Sequence, residues 1–130
     1  MLEIPKEDIE AECLAQWLRL HKYKFAHIGN ESGQAGTHNI IKMMAKKKRM
    51  GVSPWFPDYC IVLKRWSLLF VELKRQRKKL KNWELGASPS NVSDEQKEWV
   101  ATLDDLDNIS ACIAFGWQDA TQQILYFENL

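Results

Sequence analysis

Apolar side chains recur at spacings of three and four residues in several segments of the chain, which is the period of an amphipathic helix. This period predicts helices over residues 7–22, 93–106 and 117–127. Pro5 stands just before the first of these helices, and Ser93 with Gln96 forms an S-x-x-Q capping box that begins the second. Residues 42–49 are also compatible with a helix, but they are strongly basic.

Short apolar runs in other segments predict β-strands over residues 24–28, 58–63, 68–74 and 110–115. The second and third strands are joined by a tight turn near Arg65 and Trp66, and both are apolar on both faces. Such strands lie centrally in a sheet, covered by helices. Residues 29–36 and 75–92 carry the glycine, proline and serine of irregular connections. The order of elements predicts an α/β fold, with a mixed central sheet flanked by helices.

A length of 130 residues suits one globular domain, and we expect residues 1–130 to form it. No apolar run is long enough to span a membrane and the N-terminus does not resemble a secretory signal, so we expect a cytoplasmic protein without membrane contact. Cys13, Cys60 and Cys112 are widely spaced, with no C-x-x-C pair, which indicates buried free thiols rather than a zinc site.

The charges are segregated along the chain, although the net charge is only +1. Residues 42–81 hold thirteen Lys or Arg and two acids, a net charge of +11, whereas the remainder holds five basic and fifteen acidic side chains. The two acids of the basic block are Asp58 and Glu72. A turn near residue 65 places residue 58 opposite residue 72 or its neighbour, roughly 5 Å apart at Cβ. Alternation along a strand then places Lys74 on the same face as Glu72.

Two carboxylates beside an ammonium suit phosphodiester hydrolysis, which needs a water nucleophile and stabilisation of phosphate charge. Burying both acids in an apolar sheet is costly unless a divalent cation neutralises them. The spacing of Pro57-Asp58 and Glu72-Leu73-Lys74 resembles the PD-(D/E)XK nuclease signature. The surrounding segments, which are GVSPWFPD at 51–58, VELKR at 71–75 and S-x-x-Q-x-x-W at 93–99, look like the virus-type replication-repair nuclease (VRR-NUC) domain over nearly the whole chain.

The resemblance implies Mg²⁺ or Mn²⁺ ligation by Asp58 and Glu72, and catalytic assistance by Lys74. It also implies a metal contribution from a glutamate of the first helix, for which Glu7, Glu10 and Glu12 are candidates. We select Glu10, because it lies at the edge of the buried face, one turn before Leu14. Stand-alone phage and bacterial members further imply a homodimer that acts on branched DNA such as four-way (Holliday) junctions in repair, with no small-molecule cofactor. Trp55 departs from the family pattern, which commonly has glycine there.

Several residues have a structural and a functional interpretation. Gln96 is explained by the capping box alone, yet the family places a glutamine here near the active site. The basic runs are either solvated surface or phosphate-binding residues, and beside a carboxylate site we favour contacts with DNA by Lys46, Lys47, Lys48, Arg49, Arg75, Arg77, Lys78 and Lys79.

The aromatic and loop residues are less specific. His21, His27 and His38 have no metal-ligand spacing, so surface or structural roles are favoured. Trp17, Trp99 and Trp117 fall on core-facing helical positions. Trp55, Trp66 and Trp83 lie in turns or loops, where they suit base stacking or a dimer interface, and Asn30 and Glu31 are candidates for a supporting role.

The sequence thus predicts a metal-dependent endonuclease selective for branched DNA. The alternatives are a flap-, end- or sequence-specific nuclease and a non-catalytic nucleic-acid-binding module. The intact Asp58, Glu72 and Lys74 disfavour the binding module, because binding alone favours the removal of carboxylates from a phosphate path.

Overall fold

The computed structural model describes residues 3–28 and 37–130, and the side chains of residues 37–40 are not part of that description. The predicted loop at 29–36, with Asn30 and Glu31, lies outside the described residues, as does the His38 side chain. The elements run in the order α1 Glu7–Leu20, β1 Lys24–His27, α2 Thr37–Arg49, β2 Tyr59–Val62, β3 Leu68–Lys74, α3 Asp94–Asp104, β4 Ile109–Phe115 and α4 Trp117–Glu128.

The four strands form one mixed sheet in the order β1-β2-β3-β4. Antiparallel pairing joins β1 to β2 and β2 to β3, whereas β3 and β4 are parallel. Helix α3 crosses over between the two parallel strands, which is why they can lie side by side. The mixed sheet with flanking helices confirms the predicted α/β fold.

The two faces of the sheet are covered by different helices. Side chains such as Ile61, Leu69 and Val71 lie in a buried cluster with Leu14 of α1 and Ile124 of α4. Because neighbouring strand residues point to opposite faces, Phe70, Glu72 and Lys74 project from the other face. There Phe56 lies edge-on to both Phe70 and Trp99, with ring centroids 5.4 and 5.1 Å apart, so α3 covers this face.

Local sequence signals account for several element boundaries. Ser93 Oγ accepts a hydrogen bond from the Gln96 backbone N–H at 3.1 Å, and Gln96 Oε1 accepts one from the Ser93 backbone N–H at 3.0 Å. The predicted capping box therefore begins α3. The turn between β2 and β3 is closed by the Leu63 N–H donating to the Ser67 carbonyl at 2.9 Å, with Trp66 at a φ of 67°.

All three cysteines are free thiols, as predicted, but they differ in burial. Cys112 is buried, and that burial raises its pKa to about 12, whereas Cys13 and Cys60 are half-buried. Nowhere in 3–28 or 37–130 is there a helix with the length and apolarity needed to traverse a bilayer.

Candidate active site

The two acids of the basic block meet at one end of the β2–β3 hairpin. The pairing of Tyr59 with Val71 brings Asp58, one residue earlier, opposite Glu72. Asp58 Oδ2 accepts a hydrogen bond from the Leu73 backbone N–H at 3.0 Å, which ties the carboxylate to the partner strand. Pro57 is fully buried and restricts the chain just before Asp58.

Glu72 lies at the centre of the site, with only 3% of its surface exposed. Its Oε1 accepts a hydrogen bond from Gln96 Nε2 at 2.9 Å and lies 3.5 Å from Lys74 Nζ. Its Oε2 is buried and has no hydrogen-bond partner among the described residues. The predicted placement of Glu72 and Lys74 on one face is confirmed by this ion pair.

Burial raises the pKa of both acids, Asp58 and Glu72. Desolvation, followed by the charge of Asp58, raises the pKa of the Glu72 carboxyl to about 8, although Lys74 opposes the shift. Desolvation also raises the pKa of Asp58, against the lowering effect of its bond from Leu73. Two negative charges on Asp58 and Glu72 would therefore be costly in this buried position, where Lys74 is the cation paired with Glu72.

Gln96 performs both of the roles between which the sequence could not choose. Its carbonyl oxygen completes the capping box of α3, while its amide nitrogen donates to Glu72. A glutamine suits this position because one side-chain amide both accepts and donates. The start of α3 is thereby connected to the carboxylate pair.

Glu7, not Glu10, is the α1 glutamate whose charge acts on the pair. Burial and then the charge of Asp58 raise the pKa of Glu7, and Glu7 in turn contributes to the raised pKa of Glu72. Glu7 lies in the first turn of α1, where the residue is exposed to solvent on one side while neighbouring residues partly desolvate its carboxyl.

Glu10, the residue that we selected for a metal contribution, contacts Gln76 and the start of α4, so its part in metal binding stays a prediction. Its fully buried side chain accepts a hydrogen bond from Gln76 Nε2 at 2.9 Å. A Cβ on Gly116 would lie 3.0 Å from Glu10 Oε2, so this carboxylate abuts the N-terminus of α4. Burial raises the pKa of Glu10, while Gln76 and the backbone N–H of Trp117 lower it. Glu10 thus lies between α1, Gln76 and the start of α4, and its Oε2, like that of Glu72, is buried without a hydrogen-bond partner among the described residues.

His27 is a site residue that the sequence analysis did not select. Its ring stacks on Tyr59, with centroids 4.5 Å apart and an interplanar angle of 4°. Electrostatic interaction with the His27 ring lowers the pKa of both Asp58 and Glu7, so the ring lies near both carboxylates. The adjacent Ile28 donates its backbone N–H to the Asp58 carbonyl, which joins the end of β1 to the site. Only the strand pairing reveals this proximity.

The predicted DNA-contacting residues divide into two groups. Arg75 donates from Nε to the Pro5 carbonyl and from Nη2 to the Ile4 carbonyl, both at 2.8 Å, and so fastens the segment before α1. Arg77 donates to the carbonyls of Gly86 and Leu85. Both guanidinium groups are thus bonded within the protein. Arg77 is nevertheless exposed to solvent, as are Lys46, Lys48, Arg49, Lys78 and Lys79, whereas Lys47 and Arg75 are half-buried.

The fold is similar to that of a solved protein structure. A solved structure described as "VRR_NUC domain protein" superposes with a TM-score of 0.70 and 21% sequence identity, over 99% of this chain and 93% of that one. This chain has the VRR_NUC fold. No protein-family profile and no curated protein matches the sequence. The VRR_NUC fold therefore agrees with the resemblance seen in the sequence.

Proposed function

We propose that this protein is a divalent-metal-dependent nuclease of the PD-(D/E)XK type that hydrolyses DNA phosphodiester bonds. The observation that carries the proposal is the meeting of Asp58, Glu72 and Lys74 around a buried carboxylate oxygen that has no partner in the part of the chain that the structure describes. The name of the structural neighbour, a VRR_NUC domain protein, supports the same chemistry.

The donor set fits a hard cation such as Mg²⁺ or Mn²⁺. Asp58 and Glu72 offer carboxylate oxygens, which these ions prefer, and Glu72 Oε2 lacks any other partner among the described residues. Within the described ranges, no group of three or more His, Cys, Asp or Glu side chains is arranged to hold a metal ion, so the protein would offer at most two carboxylates. This agrees with Mg²⁺ sites that combine one or two carboxylates with water and substrate phosphate. The ion would supply stabilisation of phosphate charge and a more acidic water.

The remaining site residues have distinct roles in this proposal. Lys74 hydrogen-bonds to the attacking water or to the phosphate, because its ammonium lies beside the carboxylates. Gln96 orients Glu72 through its amide, and is a positioning residue. Glu7 and His27 border the site and supply a further acid and a further hydrogen-bond donor for substrate or water.

We further propose that the substrate is branched DNA and that the active species is a homodimer, as the resemblance implies. Two matched sites related by twofold symmetry would suit paired cuts across a four-way junction. The exposed basic side chains of α2 (Lys46, Lys48 and Arg49) and those after β3 (Lys78 and Lys79) would contact phosphates on either side of the acids. Arg75 and Arg77 instead hold the protein segments that border this path.

The competing function is a nucleic-acid-binding module without catalysis. To separate the two, labelled four-way junction, flap, duplex and single-stranded DNA are incubated with wild type and Asp58→Ala, each with Mg²⁺, Mn²⁺ or EDTA. Paired symmetric cuts that vanish in the variant and in EDTA are expected. Junction binding with no cleavage under every metal condition would favour the binding module, and cleavage confined to flaps or ends would refute the junction preference. Sedimentation of the protein tests the homodimer.

A further inference from the structure

A short hairpin leaves the sheet directly after the active-site strand. It spans residues 77–87 and is called the basic hairpin below. Its arms pair through an isolated bridge between Lys79 and Leu85, and its tip carries Trp83. The prediction of an irregular connection missed this hairpin. The segment therefore extends from the site as an ordered projection.

The basic hairpin is fastened at its base and along its length. Arg77 Nε donates to the Gly86 carbonyl at 2.7 Å and Nη2 to the Leu85 carbonyl at 3.0 Å, which links the two arms. Just beyond the hairpin, Ser88 Oγ donates to the Arg75 carbonyl at 2.7 Å. Its orientation relative to β3, and so to Lys74, is constrained by these bonds.

The tip exposes a large aromatic ring to solvent, on a backbone conformation that is unfavourable for tryptophan. Trp83 is 82% exposed, and its backbone has a φ of 67°, a conformation that residues with a Cβ rarely adopt. Its N–H donates to the Leu80 carbonyl at 2.9 Å, which closes the turn, and Lys79 Nζ lies 6.0 Å from the ring centroid. Neither burial nor backbone preference accounts for a tryptophan at this position, and since Trp66 shares both features, the lysines around Trp83 are what distinguish it. A ligand for the ring would account for it.

The chemistry around the ring favours a nucleic acid. Lys78, Lys79 and Lys81 are exposed on the hairpin, and Glu84 is its one acid. Ammonium groups bind backbone phosphates, and an aromatic side chain stacks on the face of a base. In an unbroken duplex each base face is covered by its neighbour. The ring therefore needs a step where stacking is interrupted, such as a branch point, a gap or an end.

The length of the hairpin limits how far this step lies from the cut. Trp83 follows Lys74 by nine residues. At no more than about 3.6 Å per residue, the ring lies within roughly 32 Å of the active-site lysine. A duplex rises about 3.4 Å per base pair, so the two points lie within roughly nine base pairs of each other.

We propose that the basic hairpin selects the substrate: Trp83 stacks on a base exposed at an interruption of the duplex, while Lys78, Lys79 and Lys81 bind the flanking phosphates. This inference rests on the proposed nuclease function for its relevance to cleavage. Its DNA-binding part stands without it. The hairpin thus supplies selectivity for branched DNA without a separate recognition domain.

Trp66 offers a matched control for Trp83. It is 95% exposed and also has a φ of 67°, but it lies in the turn before β3, at the opposite end of that strand from Lys74. Trp83→Ala and Trp66→Ala remove the same ring from the same backbone conformation. Neither ring is in the core, so both variants are expected to fold.

The test measures binding in EDTA, where no cleavage occurs, to a four-way junction and to a relaxed circular duplex, which has no ends and no branch point. Trp83→Ala is expected to bind the junction about tenfold more weakly, with duplex binding unchanged, since base–aromatic stacking is worth about 1–3 kcal/mol per base. Trp66→Ala is expected to match wild type on both. Equal binding by Trp83→Ala and wild type, or an equal loss on junction and duplex, would overturn the proposal. So would a change in sedimentation with Trp83→Ala alone, because the ring would then contact a second protein.

The outcomes also separate this inference from the proposed function. If wild type shows the Trp83-dependent junction preference but cleaves nothing with Mg²⁺ or Mn²⁺, the hairpin proposal stands as DNA binding and the nuclease proposal fails. If cleavage occurs but Trp83→Ala retains the wild-type preference, the nuclease stands and the hairpin proposal fails.

Discussion

Replacing Glu72 by glutamine tests whether the active site is held together at the expense of stability. The wild-type carboxyl is 3% exposed, one of its oxygens has no partner among the described residues, and its pKa is raised to about 8. Glutamine has nearly the same shape, and its carbonyl oxygen can still accept from Gln96. Glu72→Gln therefore removes the charge with little change in packing.

The number of protons bound by the folded and the unfolded chain determines how the free energy of unfolding changes with pH. The pKa of Glu72 is raised from 4.5 to about 8, so between these values the folded metal-free protein holds more protons than the unfolded chain. Stability then falls as pH rises through that window, and below it the penalty is absent. One pKa unit is worth about 1.36 kcal/mol, so the penalty is on the order of 3 kcal/mol at pH 7 and larger above pH 8. The raised pKa of Asp58 acts in the same direction.

The assay is urea unfolding in EDTA from pH 4 to pH 9. Glu72→Gln is expected to be about as stable as wild type at pH 4 and more stable by about 2–4 kcal/mol at pH 8, which moves the midpoint by roughly 1–2 M urea. Glu12→Gln, an exposed change on α1, is the control and should follow wild type. In a second series with Mg²⁺ in place of EDTA, the ion should stabilise wild type at pH 8 but not Glu72→Gln, because a ligand that binds only the folded state raises stability. Parallel pH curves for wild type and Glu72→Gln would refute the reasoning.

Three further predictions concern the groups around the pair. Gln96→Ala and Ser93→Ala should each lower the free energy of unfolding by about 1 kcal/mol, because each removes half of the capping box. Only Gln96→Ala should also lower the cleavage rate, by tenfold or more. Equal cleavage rates for the two variants would mean that Gln96 stabilises the helix and nothing else. Glu7→Gln should lower the cleavage rate and leave the unfolding midpoint unchanged. Glu10→Gln should change the unfolding midpoint and leave the cleavage rate near that of wild type. The reverse result would favour Glu10 as the α1 glutamate of the site. His27→Ala should weaken junction cleavage severalfold in single-turnover assays while circular dichroism stays unchanged, and full activity would remove His27 from the site.

Much of the fold is encoded locally, and so could be predicted from the sequence. Apolar spacing predicted α1, α3 and α4, and the capping box at Ser93 and Gln96 located the start of α3 to the residue. The carboxylate pair also came from local pattern, because a tight hairpin determines which residues face each other. Asp58, Glu72 and Lys74 needed only the position of the turn and the two-residue period of a strand.

The side chains that surround the central acids could not be predicted from the sequence, because they depend on how elements distant in the chain pack together. A helical pattern shows which face of α1 is buried, but the choice between Glu7 and Glu10 depends on which end of α1 meets the sheet edge and where α4 begins. Arg75 donates hydrogen bonds to the carbonyls of Ile4 and Pro5, which lie about 70 residues earlier in the chain, and no local sequence pattern predicts these bonds. The sequence by itself determined the elements and the central acids, because these follow from local geometry. The tertiary structure alone decided which side chains surround them, because the angle and depth of each helix are set by packing throughout the core.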